Sequence, residues 1–352
     1  MKHVDSRLNV EKEIVKDDLT FRSVLDEPFS VHGVFYENGL FRRMPEDVAR
    51  SVSDKVYTLH SNTSGGRVRF KTDSDVVAIS VKYGNRYRSS HFALSGSVGL
   101  DLYVREEGED RERFYAAFMP PYDMIDSYES RHTIEGGRKM REITINMPLY
   151  SDVAELRVGV LSDASLLPAD HYPRDELIVY YGNSITQGAC ASRPGNAFAA
   201  QASRAFGCDF INLGFSGSGK AEDEIAEYIS GLDMQIFVYD YDHNAPNPEY
   251  LAATHEKMFT RIRRSHPDIP IIMLTRTSMD SAAAKREERK AIIKATYDNA
   301  VASGDKNVYF IDGSHIYDGV EDIATVERCH PNDLGQTYIA FAIQKVLGEI
   351  LA

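Results

Sequence analysis

The chain has 352 residues and a formal net charge of −13, since 40 Lys and Arg face 53 Asp and Glu. A chain of this length predicts about two domains with a sizeable buried core, which excludes general disorder. The acidic balance argues against nucleic-acid partners and anionic membrane surfaces, because both attract basic proteins.

The three cysteines, Cys190, Cys208 and Cys329, form no disulfide framework, and an odd number fits a reducing compartment. Residues 1–18 are charged throughout, unlike a signal peptide, and no apolar run is long enough to span a membrane. We therefore expect a cytoplasmic protein without a membrane partner. The sequence leaves the oligomeric state open.

Residues 1–165 show the alternation of apolar and polar residues that is typical of strands. The alternation occurs at 67–70, 77–81, 143–145 and 156–160, with Gly-, Asn- and Asp-rich turn signals between these runs. Many short strands at such spacing predict an all-β sandwich or jelly roll.

Residues 166–176 contain two prolines and no clear period, and we interpret them as a linker. From residue 177 to residue 352, short apolar runs alternate with helical stretches. The predicted strands are 177–181, 210–213, 236–239, 271–274 and 308–311, and the predicted helices are 197–206, 221–229, 248–265, 282–303 and 334–351. This alternation predicts an α/β domain whose parallel sheet is covered on both faces and binds ligands at the strands' carboxyl ends.

The first of these strands runs into Gly182, Asn183 and Ser184. A serine between a buried strand and a helix is placed as a nucleophile would be, near backbone N–H groups and the positive end of the helix dipole. The alternative is that the serine only caps the helix.

The second strand runs into a glycine-rich stretch at 212–220. Gly214, Gly219 and Lys220 have nearly the spacing of a phosphate-binding loop, but Ala221 stands where that loop needs Ser or Thr. The same stretch also suits a loop whose backbone N–H groups bind an oxyanion.

The remaining candidates follow later strands. Asn244, after the third, could donate to an oxyanion or belong to a solvated loop, and His330 precedes the last helix with Glu327 three residues before it. Alone, a histidine before a proline is usually structural. Together, a serine, oxyanion donors, a base and its orienting carboxylate at different strand ends indicate acyl transfer.

These residues resemble the SGNH (GDSL-like) hydrolases. The family's blocks correspond to Gly182-Asn-Ser184, Asn212 through Gly217, Asn244 and His330-Pro331, and a branch with an N-terminal β domain carries a Gly-x-Asp-Leu-Tyr signature, here Gly99-Leu-Asp101-Leu102-Tyr103. The resemblance implies a three-layer, flavodoxin-like catalytic domain after a β-sandwich.

The resemblance also implies roles. Ser184 is the nucleophile, His330 the base, and the N–H groups of Ser184 and Gly217 form the oxyanion hole with the Asn244 side chain, without metal or cofactor. The family usually has Asp before the serine and Asp three residues before the histidine. Here Asn183 and Glu327 stand at these positions.

Glu327 is one methylene longer than the usual aspartate, so Asp333, or a Ser–His dyad supported by a backbone carbonyl, is an alternative. Arg193 binds a polar substrate or forms a salt bridge. Cys329 is poorly arranged to act with its neighbour His330. His243, beside Asp242, is better explained as part of a solvated loop than as a metal ligand.

Five tyrosines of the N-terminal half could stack on sugar rings or simply pack between strands; they are Tyr83, Tyr87, Tyr103, Tyr115 and Tyr122. The resulting hypothesis is a serine esterase that removes acetyl or another short acyl group from a small-molecule or oligosaccharide ester. The alternatives are an acyltransferase that uses the same acyl-enzyme, and a carbohydrate-binding protein with weak catalysis because Glu327 fails to support His330.

Overall fold

The structure, a computed structural model, describes residues 9–277 and 283–352. The described chain divides into two compact units: residues 9–42, 61–171 and 192–195 form the first, and 43–60, 172–191 and the rest from 196 form the second. In the described ranges no helix combines the length and the apolar character needed to cross a membrane. Residues 1–8 of the predicted β domain and residue 282 of the predicted helix 282–303 lie outside these ranges.

The elements as far as residue 171 are mostly strands. In chain order they are β1 (Leu19–Ser23), β2 (Ser30–His32), β3 (Phe35–Glu37), β4 (Leu40–Arg42), α1 (Glu46–Val52), α2 (Asp54–Leu59), β5 (Arg67–Thr72), β6 (Val76–Tyr83), α3 (Leu94–Ser97), β7 (Leu100–Glu106), β8 (Arg113–Phe118), β9 (Ser127–Thr133), β10 (Arg141–Asn146), β11 (Val153–Leu161) and β12 (Leu166–Leu167).

The first unit contains two large antiparallel sheets and the two-stranded antiparallel sheet β3-β4. One large sheet has the order β1-β11-β6-β9, and the other has the order β12-β5-β10-β7-β8 with β2 also paired to β5. Side chains of both sheets, such as Ile79 of β6 and Ile143 of β10, are fully buried in one apolar cluster. This packing of two sheets confirms the predicted β-sandwich class. The predicted linker begins with β12, which pairs with β5.

The second half of the chain alternates strands and helices. Its elements are β13 (Ile178–Gly182), α4 (Ser184–Gln187), α5 (Phe198–Phe206), β14 (Phe210–Gly214), α6 (Asp223–Ser230), β15 (Ile236–Asp240), α7 (Pro248–Ser265), β16 (Ile271–Leu274), α8 (Ala283–Ala302), β17 (Val308–Ile311) and α9 (Asp333–Ile350).

These strands form one parallel sheet with the order β14-β13-β15-β16-β17. One apolar core lies under α6, α7 and α8, and a second core, containing Ala202 of α5 and Ile343 of α9, covers the other face. This confirms the predicted three-layer α/β fold. The strand order is the flavodoxin-like one, whose direction switches beside β13, so the carboxyl ends of β13, β14 and β15 frame the expected crevice.

The helices α1 and α2 belong to the second unit, although the sequence analysis assigned residues 1–165 to the β domain. The physical reason is burial, since Ala49 of α1 and Val56 of α2 lie in the same apolar cluster as Phe237 of β15. The two helices are short and weakly periodic, so nothing in their sequence distinguishes them from loops between strands.

Candidate active site

The turn after β13 is fixed by Asn183, which is the N-cap of α4. Its side-chain oxygen accepts from the Ile185 N–H at 2.7 Å, and its side-chain N–H donates to the Asp240 carbonyl at 2.9 Å. Capping is therefore done by Asn183, and the alternative that Ser184 is the cap is wrong. Ser184 is the first residue of the helix.

Gly182 is needed for this turn because β13 approaches β15 closely there. A Cβ atom at residue 182 would lie 2.1 Å from the Asp240 carbonyl oxygen and 2.2 Å from the Thr186 hydroxyl oxygen. No side chain can occupy that space, so glycine allows the serine to sit directly above the sheet edge.

Ser184, His330 and Glu327 form one hydrogen-bonded chain. The Ser184 Oγ lies 2.9 Å from His330 Nε2, and His330 Nδ1 contacts the Glu327 carboxylate. That carboxylate also accepts from the His330 backbone N–H at 2.8 Å, so the longer side chain bends back onto its own turn. With Nδ1 donating to Glu327, Nε2 is left as an acceptor for the serine proton.

The left-handed backbone of Arg328, with φ of 70°, reverses the chain between Glu327 and His330. The turn is closed by the Val326 N–H, which donates to the His330 carbonyl at 2.9 Å. Asp333, the substitute candidate, starts α9 next to its N-cap Asn332. The orienting contact to the imidazole is made by Glu327.

The glycine-rich loop after β14 uses nearly all its N–H groups internally. The N–H of Ser216 donates to the Gln187 side chain at 3.0 Å, and those of Ser218, Gly219, Lys220 and Ala221 also donate within the protein. Among the residues that the structure describes, the Gly217 N–H has no acceptor. These internal bonds do not fit a phosphate-binding loop, and the Gly217 N–H stays the oxyanion donor predicted from the sequence.

Gly217 has a φ of +66°. Apart from its chain neighbours, none of the described residues has an atom within 4 Å of the position that a Cβ would take, so the space beside it is open. Asn244 lies next to the same loop, where its side-chain N–H donates to the Phe215 carbonyl at 2.9 Å. Since an amide nitrogen carries two hydrogens, the second N–H of Asn244 has no acceptor among the residues that the structure describes. The Gln187 contact joins the loop to the helix that begins at Ser184.

Residues 175–348 match the GDSL-like lipase/acylhydrolase family, and residues 19–166 match the family described as the N-terminus of Esterase_SGNH_hydro-type. Residues 175–348 form a GDSL-like lipase/acylhydrolase domain. This confirms the resemblance expected from the sequence blocks. No curated protein matches the chain.

Solved structures of similar fold include a GDSL-like protein from Bacteroides ovatus, with 29% identity, a TM-score of 0.85 and coverage of 95% of this chain and 98% of that one. A salicylyl-acyltransferase from a tetracycline biosynthetic pathway has 19% identity, a TM-score of 0.76 and coverage of 96% and 98%. An acetyl xylan esterase from Butyrivibrio proteoclasticus has 11% identity, a TM-score of 0.59 and coverage of 95% and 98%.

In this GDSL-like chain, Arg193 is occupied by contacts within the first unit. Its guanidinium donates to the Asp101 carboxylate at 3.0 Å and to the Tyr103 hydroxyl at 2.7 Å, and it stacks 3.7 Å above the Phe114 ring. Of the two predicted roles for Arg193, these contacts match the salt bridge.

The five candidate tyrosines divide into packed and exposed groups. Tyr83 and Tyr103 are buried, and the Tyr115 hydroxyl donates to the Thr133 carbonyl. Tyr87 is partly exposed, and Tyr122 is 86% exposed. Only the last two present ring surface of the kind that stacking on sugars needs.

The Asp242 and His243 pair is not a solvated loop, which corrects the sequence interpretation. Asp242 is 1% exposed and pairs with Arg289 at 3.0 Å. Burial, together with the positive charges of Arg276, His330 and Arg289, holds the pKa of His243 well below its usual range. His243 therefore stays neutral and adds no positive charge beside His330.

The cysteines are thiols in this environment. Cys190 and Cys208 are buried, and burial raises the pKa of Cys190 to about 12 and that of Cys208 to about 11. Cys329 Sγ lies 4.0 Å from His243 Nδ1.

Within the described ranges, one group of potential metal ligands lies at the site, because atoms of Glu327, Cys329 and His330 fall within 4.8 Å of one another.

Sequence reasoning missed two supporting residues. Gln187 lies one helical turn after Ser184 and holds the glycine-rich loop, whereas Arg43 donates to the Asn212 and Gly214 carbonyls at 3.1 and 2.5 Å. The position of Gln187 in the nucleophile block was a usable signal. Arg43 lies far away in sequence, so no local pattern could connect it with β14.

Proposed function

We propose that this GDSL-like chain is a serine esterase that hydrolyses acetyl or other short acyl esters of a carbohydrate or similar polar substrate. The observation that carries the proposal is the Ser184–His330–Glu327 chain, with 2.9 Å between Ser184 Oγ and His330 Nε2. A hydroxyl bonded to an imidazole acceptor, itself oriented by a carboxylate, is the arrangement that activates a serine for acyl transfer.

In the proposed reaction, Ser184 Oγ attacks the ester carbonyl while His330 Nε2 takes its proton. The negative charge that develops on the carbonyl oxygen is stabilised by the Gly217 N–H, the Ser184 N–H and the free hydrogen of the Asn244 amide. His330 then gives the proton to the leaving alcohol, and an acyl-enzyme remains. Water, deprotonated by His330, releases the acid in the second half.

The carbohydrate part of the proposal is supported by the fold relatives, since an acetyl xylan esterase and family two carbohydrate esterases share this architecture. Their sequence identities to this chain are 15% and 11%, so they support the fold directly and the substrate class by analogy. The exposed ring of Tyr122 in the first unit offers a surface on which a sugar could stack.

An acyltransferase is a second candidate, because a salicylyl-acyltransferase has the same two-part architecture. The acyl-enzyme would be the same, and an alcohol would replace water in the second half. The contact between Glu327 and His330 supports the esterase over the third hypothesis, a carbohydrate-binding protein with weak catalysis.

The test is a panel of acetylated xylo-oligosaccharides, 4-nitrophenyl acetate and long-chain 4-nitrophenyl esters, assayed with the parent protein and the Ser184→Ala variant. Short esters should be cleaved fastest, and Ser184→Ala should abolish turnover of all of them. Ser314→Ala is a matched control, because Ser314 follows the carboxyl end of β17 and bonds to Asp312. Turnover by Ser184→Ala at the parent rate would refute the proposal, and ester products with added alcohols would favour the acyltransferase.

A further inference from the structure

The turn that carries Asn244 is held by a buried arginine from another element. Arg289, on α8, donates through Nη1 to the Asp242 carbonyl at 2.8 Å and to the Asp242 carboxylate at 3.0 Å, and through Nη2 to the Ala245 carbonyl at 2.8 Å. One guanidinium thus bonds to both ends of the turn. Its planar fork allows this, whereas the ammonium of lysine could not reach all three acceptors at once.

The same turn is held on its other sides. The second oxygen of the Asp242 carboxylate accepts from the Arg276 backbone N–H at 3.1 Å, and the Asn244 N–H donates to the Tyr241 carbonyl at 2.9 Å. Arg289 and Asp242 are 6% and 1% exposed, so water cannot substitute for either partner. The position of the Asn244 side chain is therefore set by contacts that include the guanidinium.

We propose that Arg289 is a positioning residue for the reaction, which it serves by holding Asn244 where its amide meets the oxyanion. This inference rests on the proposed esterase function. An oxyanion donor acts on charge that develops only in the transition state, so a displaced Asn244 lowers kcat and leaves KM nearly unchanged.

The variant must avoid leaving a buried charge without its partner, because Arg289→Met alone isolates the Asp242 carboxylate. The test variant therefore combines Arg289→Met with Asp242→Asn, and Arg289→Lys is the conservative comparison. The matched control combines Arg263→Met with Asp305→Asn. Arg263 likewise bridges an aspartate, at 2.8 Å, and a backbone carbonyl, that of Ile269 at 2.7 Å, at the amino end of the sheet.

With 4-nitrophenyl acetate, kcat of the test variant should fall about 10- to 100-fold with KM within about twofold, and Arg289→Lys should lose less. The control pair should keep kcat within about threefold. The deciding measurement repeats the test in an Asn244→Ala background, where the Arg289 and Asp242 substitutions should lower kcat by no more than about twofold, because the group they position is gone.

An equal fall of kcat in both backgrounds, or no fall in the parent background, would overturn the inference while leaving the esterase assignment intact. A parent protein without Ser184-dependent turnover would overturn both. Thermal unfolding of every variant shows whether a lost rate reflects a lost fold.

Discussion

Each unit contains an ion pair between a buried aspartate and an arginine, and the two pairs are built differently. In the first unit the carboxylate is the centre: Asp101 accepts from Arg193 at 3.0 Å, from the Asn146 side chain at 2.7 Å and from the Gly195 backbone N–H at 2.8 Å. These partners are all groups of the first unit, so this network only holds the sandwich and the segment 192–195 together.

In the second unit the guanidinium is the centre. Arg289 bonds to the Asp242 carboxylate and to two backbone carbonyls of the turn that carries Asn244. One hydrogen of the Asn244 amide is donated to the Phe215 carbonyl, and the other is the proposed donor to the oxyanion. The contrast predicts that substitutions in the first unit mainly lower the free energy of unfolding. Substitutions around the strand ends of the second unit should mainly lower kcat.

The largest effect is expected for His330→Ala, which removes the proposed base. Turnover of 4-nitrophenyl acetate should fall on the order of 10⁴-fold, with an unchanged unfolding midpoint. His315→Ala is the control, because exposed His315 also contacts an acid three residues away, Asp318, at 3.0 Å. A fall in the unfolding midpoint large enough to account for the lost turnover would contradict the predicted difference between the two units.

Asp101→Asn is expected to act in the opposite way. It leaves the Arg193 guanidinium without its carboxylate, so the free energy of unfolding should fall by about 3 kcal/mol, while kcat of the folded protein stays within about twofold. Urea unfolding and steady-state kinetics measure the two effects, with exposed Asp110→Asn as control. A large loss of kcat without loss of stability would show that the first unit takes part in the chemistry.

Substitutions of Glu327 are expected to have an intermediate effect on kcat. Glu327→Ala should lower kcat about 100-fold because the imidazole loses its orienting acceptor, and Glu327→Gln should lower it about tenfold because an amide oxygen can still accept from Nδ1. KM should be unchanged in both variants. Equal kcat values for Glu327→Ala and the parent would mean that His330 works as part of a dyad.

The smallest effect concerns pH and stability. His255 is buried against Tyr239, its Nδ1 lies 2.8 Å from the Thr296 hydroxyl oxygen, and burial lowers its pKa to about 3. In the unfolded chain His255 takes up a proton below pH ~6.5, whereas in the folded chain it does so only near pH 3. The contribution of neutral His255 to the free energy of unfolding is therefore complete above pH ~6.5 and is lost as the pH falls.

As the pH falls from ~6.5 to ~5.0, the free energy of unfolding should decrease by about 2 kcal/mol because of His255. Urea unfolding should show that this loss is absent from His255→Asn and retained by a variant of exposed His91. If His255→Asn and the parent show the same pH dependence, His255 is charged in the folded state.

The sequence was most informative where chemistry and local pattern coincide. Strand-end residues such as Ser184 and His330 could be predicted because the carboxyl ends of parallel strands meet at one edge. Asp101 could be found through its signature, although its contact with Arg193 could not. Arg289 lies in a charged helical run that is typical of a solvated face, and only the tertiary contact with Asp242 reveals its burial.

The assignment of α1 and α2 to the second unit has a consequence for any attempt to excise the catalytic half. A fragment starting near residue 175 would lack Ala49 and Val56 from its apolar core, and the Asn212 and Gly214 carbonyls would lose the Arg43 guanidinium. The two halves are interlaced along the gene, so recombination cannot exchange them as independent cassettes at a single junction. A working hybrid must carry residues 43–60 together with the catalytic half.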